Sequence, residues 1–97
     1  MSDRSHGRLC AAVLRHAAPA ELRASGARPW ASITFSGARH WLSLFVPSPA
    51  AAEIGQRLEA AEFDLPGLLV ADLAITGTQQ VAGGALLSVE VLTVEAA

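Results

Sequence analysis

Two carboxylates, two arginines and three aromatic rings are the side chains of this sequence whose types could do chemistry together. Asp72 and Glu90 fall on adjacent predicted strands, where paired acids could act as general acid and general base. Arg28, Arg39 and His40 fall at the two ends of a predicted hairpin, and an arginine beside a tryptophan could hold a phosphate or a carboxylate. Trp30, Trp41 and Phe45 interleave with Ser32, Thr34 and Ser43 in "RPWASITFSGARHWLSLFV". Aromatics beside hydroxyls could stack a flat ligand or a base, or be buried by another protein.

Each group also has a plainer reading. Aromatic pairs across a hairpin stabilise it by about 0.2–1 kcal/mol and need no ligand to explain them. Asp72 and Glu90 face each other if Ile75 pairs with Leu87, so an ion pair or a solvated rim is favoured over catalysis. His40 is read as a satisfied rim histidine on the core face, opposite Phe35. His6, His16 and His40 share no ligand spacing, and no metal or cofactor is expected. Gly83-Gly84 lacks the lysine and the strand–glycine–helix order of a phosphate loop, and no Ser-His-Asp set can be assigned from spacing. The Gly-Phe pattern of aromatic RNA-binding sheets is absent.

Positioning these residues requires elements, and the apolar spacing supplies them. Residues 8–18 put Leu9, Cys10, Val13, Leu14 and Ala17 on one helical stripe that Pro19 ends, after a frayed segment 1–7. Residues 20–27 fit a short strand or an irregular link. Gly37-Ala38 is read as a two-residue hairpin turn, glycine first. That register pairs Ile33 with Leu42 and Ala31 with Leu44 on an aliphatic face. It pairs Trp30 with Phe45, Ser32 with Ser43 and Thr34 with Trp41 on the other. Ser48 and Pro49 open a second helix with Ala51, Ile54, Leu58 and Ala61 on its buried side. A second hairpin follows. Its core faces are Leu69, Ala71, Leu73 and Ile75 on one strand, and Leu87, Val89 and Val91 on the other, joined by a long mobile "GTQQVAGG".

The predicted fold is α+β with two layers, in α-β-β-α-β-β order: an antiparallel four-stranded sheet with both helices on one face. "ASITFSG" at 31–37 and "ADLAITG" at 71–77 suggest an internal αββ pseudo-repeat. The arrangement looks like small bacterial two-layer proteins in general, a likeness that carries over no residue's role.

Ninety-seven residues, 52% hydrophobic and 16% charged, suit one folded domain rather than a disordered chain. Residues 1–47 carry six arginines against Asp3 and Glu21; residues 48–97 carry Arg57 against seven acids. Nucleic-acid binding is disfavoured, because the arginines are scattered and the chain as a whole is acidic at a formal charge of −2. The favoured reading sets the two halves against each other, within one chain or across a dimer. Cys10 is the sole cysteine, a small core residue, and no disulfide framework exists. "LCAAVL" is too short for a secretion signal, and "LPGLLVADLAITG" is broken by Pro66, Gly67 and Asp72, so a soluble cytoplasmic protein is expected.

The functional expectation is a small non-catalytic interaction module. Trp30, Trp41 and Phe45, with Thr34, Arg28 and Arg39, would meet a partner protein or a second copy, and Asp72 and Glu90 would form a polar rim. The alternative is a small-ligand binder or enzyme with the aromatic face as floor and an arginine–acid rim.

Overall fold

A computed structural model describes residues 3–47 and 50–95. Helix α1 runs Asp3–Ala17, strand β1 Glu21–Ala31, β2 Ser36–Pro47, helix α2 Ala51–Ala60, β3 Leu68–Val81 and β4 Gly84–Glu95. The strands form one antiparallel sheet in the order β1-β2-β4-β3, so the two hairpins join through their second strands. The α+β class and the α-β-β-α-β-β order follow the sequence expectation.

Strict alternation builds the core. On β2, Ala38, His40, Leu42, Leu44 and Val46 are buried, and on β4, Ala85, Leu87, Val89, Val91 and Thr93 are buried. Both helices cover this face. Leu9, Val13 and Ala17 of α1 and Ile54 and Leu58 of α2 are fully buried in the same cluster. Burying each of these leucine, isoleucine and valine side chains stabilises the fold by about 1.5–3 kcal/mol, and the Ala17 methyl by less. Arg57 ties the helices together: its Nη1 donates to the carbonyls of His16 (3.3 Å) and Ala18 (3.1 Å) at the end of α1.

Several local expectations are corrected. Helix α1 begins at Asp3, so Arg4–Gly7 are helical rather than frayed. The ambiguous residues 20–27 lie in β1. The first hairpin does not turn at Gly37-Ala38; both residues are in β2, and the turn is Ser32–Phe35. There the Ser32 amide donates to the Phe35 carbonyl (2.7 Å) and the Ser32 hydroxyl accepts from the Phe35 amide (3.1 Å), closing the turn without glycine. Gly37 is glycine for another reason: a Cβ there would collide with the Thr93 carbonyl, and the Trp30 ring lies just above. Ile33 and Phe35 are consequently exposed at the tip.

The connection between β3 and β4 is only Ala82-Gly83, with Gly83 at a left-handed φ of 81°. Irregularities between Val70 and Asp72 and between Ile75 and Gly77 shift the β3 register. Val70, Leu73 and Ile75 therefore pack on the core while Leu69, read as a core residue, is 61% exposed. The capping expectation for Ser48 and Pro49 lies outside the described residues. At the described start of α2, Ala50 makes no side-chain cap.

Candidate functional site: the outer sheet face and the histidine chain

The face of the sheet turned away from the helices is built of cross-strand rows. One row reads Arg28, Arg39, Leu92, Asp72 from β1 to β3; the next reads Gly26, Trp41, Glu90, Ala74. Flanking rows are Trp30, Gly37, Val94, Leu69 on one side and Ala24, Ser43, Ser88, Gly77 on the other, with Phe45 and Leu86 beyond. Trp30, Trp41 and Phe45 thus share one side of the sheet, through a pairing different from the one expected. Trp30 opposes Gly37 rather than Phe45, and Trp41 opposes Gly26 rather than Thr34. Thr34 and Ser32 sit in the turn, off this face.

Each ring finds its own seat. The Trp41 indole lies on Gly26, where a Cβ would strike it, yet the residue remains 50% exposed. The Arg23 guanidinium sits 4.7 Å from the centre of the Phe45 ring, a cation–π contact. Trp30 is half-buried, with its Nε1 buried and unpartnered.

Asp72 opposes Leu92 and Glu90 opposes Ala74, so the two acids are not face to face; Ile75 pairs with Val89, not Leu87. Among the described residues, no ion pair joins Arg28 or Arg39 to either acid. Instead Arg28, Arg39, Trp41, Asp72 and Glu90 border a shallow depression of about 320 Å³ in the middle of the face. A larger concavity, about 510 Å³, lies beside the end of α2 and β3, bordered by Glu59, Glu62 and Phe63 and by no basic residue. Within one chain the basic and acidic halves meet edge to edge in one sheet, through β2 and β4, and α1 packs beside α2.

Beneath the sheet, sequence reasoning missed a second constellation. His40 is on the core face as expected, but it is 1% exposed rather than at a rim, and Phe35 is not its neighbour. Its Nδ1 lies 2.9 Å from Nδ1 of His6 on α1, and its Nε2 lies 2.9 Å from Thr93 Oγ1. The Thr93 hydroxyl donates to the Ala38 carbonyl (3.3 Å), so it accepts from His40 Nε2–H. Neutral His40 then presents a bare Nδ1, which accepts from His6 Nδ1–H. His6 Nε2 is left to accept from the Ser25 hydroxyl (3.0 Å), with the Cys10 thiol 3.5 Å away. These tautomers are assigned from the hydrogen-bond network.

Burial, reinforced by charge on His6, lowers the His40 pKa to about 4. Burial also pushes the Cys10 thiol up, partly offset by a hydrogen bond with Ser25, which makes it a poor nucleophile. Ser25, His6 and His40 have the order of nucleophile, base and orienter. Neither concavity described above is bordered by Ser25, His6 or Cys10. The available signal was the spacing of His6 and Cys10 on one helix side and the inward phase of His40 on β2; their meeting depends on how α1 lies on the sheet.

Among the described residues no group of three or more His, Cys, Asp or Glu side chains could hold a metal ion, and no helix is long and apolar enough to cross a membrane. Fold and site define a two-layer α+β domain with one helix-covered and one uncovered sheet face. Compared with family models, curated proteins and solved structures, the chain matches none.

Proposed function

We propose that the protein is an interaction module that self-associates through its outer sheet face. The observation that carries this reading is Trp41: a large ring at the middle of a four-stranded face, half in solvent, with no helix or loop above it. Around it Trp30, Phe45, Leu69, Leu86, Leu92 and Val94 add apolar surface among the charges of Arg28, Arg39, Asp72 and Glu90. Four strands at about 4.8 Å spacing and ten residues at about 3.3 Å give a flat area of roughly 600 Å². That area approaches the share each partner contributes to a stable interface.

Sedimentation equilibrium at micromolar concentration tests the reading. A dimer is expected, and Trp41→Ser should weaken it by roughly tenfold or more, as loss of a central aromatic anchor does. A strictly monomeric protein would overturn it.

The depression between Arg28, Arg39, Asp72 and Glu90 supports a second reading. A monomer could hold a small zwitterionic ring compound over Trp41, its anion on the arginines and its cation on the acids. Quenching of Trp41 emission in a monomer by free phenylalanine would favour this second reading.

A further inference from the structure

We infer that the second copy sits on the outer face with the two-fold axis running along the strands, between β2 and β4, so that Arg28 of each copy meets Asp72 of the other. The inference rests on self-association through this face and adds its geometry. Two sheets stacked face to face by a two-fold can be related by an axis along the strands or across them. An axis across the strands lays β1 over β1 and β2 over β2. Arg23, Arg28 and Arg39 would then face the arginine-bearing strands β1 and β2 of the second copy, and Asp72 and Glu90 would face the acid-bearing strands β3 and β4 that they themselves lie on. An axis along the strands lays β1 over β3 and β2 over β4, and each cross-strand row over itself reversed.

Under that operation the rows complement one another. Arg28 falls over Asp72 of the second copy, and Glu90 of the second copy falls over Trp41, one outward position along β2 from Arg39. Trp30 falls over Leu69 and Phe45 over Leu86, apolar on apolar. Of the four charges bordering the depression, Arg28 and Asp72 are set opposite one another, while Arg39 falls over Leu92, diagonal to Glu90 of the second copy. Twisted sheets pack with strand directions about 30° apart, so rows near the centre keep their partners best; the Trp41 row is the middle one and the arginine row is next to it.

The test is a mixing experiment read by sedimentation. Arg28→Glu alone and Asp72→Arg alone each place like charges together twice per dimer, and each should weaken association by roughly tenfold or more. Mixed in equal amounts, the two variants form a heterodimer in which both pairs have opposite signs, and association should return toward that of the unaltered protein. Far-UV circular dichroism checks that both variants fold; the milder Arg28→Gln and Asp72→Asn should weaken association a few-fold each, and less than additively when combined. No recovery on mixing, in a protein that dimerises and is weakened by Trp41→Ser, overturns the two-fold arrangement and leaves self-association standing. An unaltered protein that stays monomeric overturns both.

Discussion

The imidazoles of His6 and His40 lie edge to edge in one plane, 1° from parallel, with their Nδ1 atoms 2.9 Å apart. Ring centres 5.2 Å apart are too far for face-to-face stacking at that nitrogen distance, so the contact is an in-plane hydrogen bond. It fixes the N-terminal half of α1 to the middle of the sheet through groups 34 residues apart in sequence.

A pH dependence follows. The folded pKa of His40 is lowered to about 4, against about 6.5 in the unfolded chain. Between these values the unfolded chain binds a proton that the folded chain refuses. Stability is therefore full above pH 6.5, falls as pH drops toward 4, and is flat in this group's contribution below that. The loss amounts to about 3 kcal/mol at most. Urea unfolding at pH 7 and pH 5 should show it, and His40→Leu should flatten the profile; an unchanged profile in that variant would assign the dependence to other groups.

Thr93 closes the same chain. It is fully buried, accepting from His40 and donating to Ala38. Thr93→Val keeps the shape and removes both bonds, leaving His40 Nε2–H without an acceptor at a cost of about 1–3 kcal/mol. Thr93→Ser retains the hydroxyl and should recover about 1 kcal/mol of that. Equal losses in the two variants would mean that packing of the methyl group, not the hydroxyl, is what counts.

Gly37 and Gly26 should respond differently to alanine. A Cβ at Gly37 meets the backbone carbonyl of Thr93 on a central strand, which cannot swing away. Gly37→Ala should destabilise by about 1–3 kcal/mol or more in thermal unfolding. A Cβ at Gly26 meets the Trp41 indole, a side chain with solvent on its other side. Gly26→Ala should cost less and shift tryptophan emission as the ring lifts.

Arg57 separates a helix cap from a surface ion pair. Its guanidinium donates to two carbonyls at the end of α1 and lies 3.4 Å from Glu53 on an exposed helix face. Arg57→Ala should cost about 1 kcal/mol through the lost carbonyl bonds, whereas Glu53→Gln should change stability by no more than about 0.5 kcal/mol. Similar losses by chemical denaturation would place the energy in the ion pair instead.

The sequence made legible whatever depends on periodicity alone. The stripe of Leu9, Val13 and Ala17, that of Ile54 and Leu58, and the alternation Leu87-Val89-Val91 all put the right side chains inward. The hairpin turn was misplaced because Gly37 resembles a turn glycine, although a neighbouring carbonyl is what excludes a side chain there. Ser32 made the turn instead, through a hydroxyl bond to its own loop. Leu69 was misassigned because one extra residue in β3 reverses the phase that alternation assumes. The meeting of His6, Ser25 and His40 depends on three elements docking together, and nothing local in the sequence encodes it.

The two border strands of the sheet are both irregular. β1 is interrupted at Arg23 and carries Pro29, which has no amide hydrogen to offer, and β3 is interrupted twice. Such borders are poor templates for a further strand, so lateral growth into ribbons is blocked. In the proposed dimer each copy would use its one outer face and both flanks would stay blunted, so assembly would terminate at two copies instead of running on into a filament.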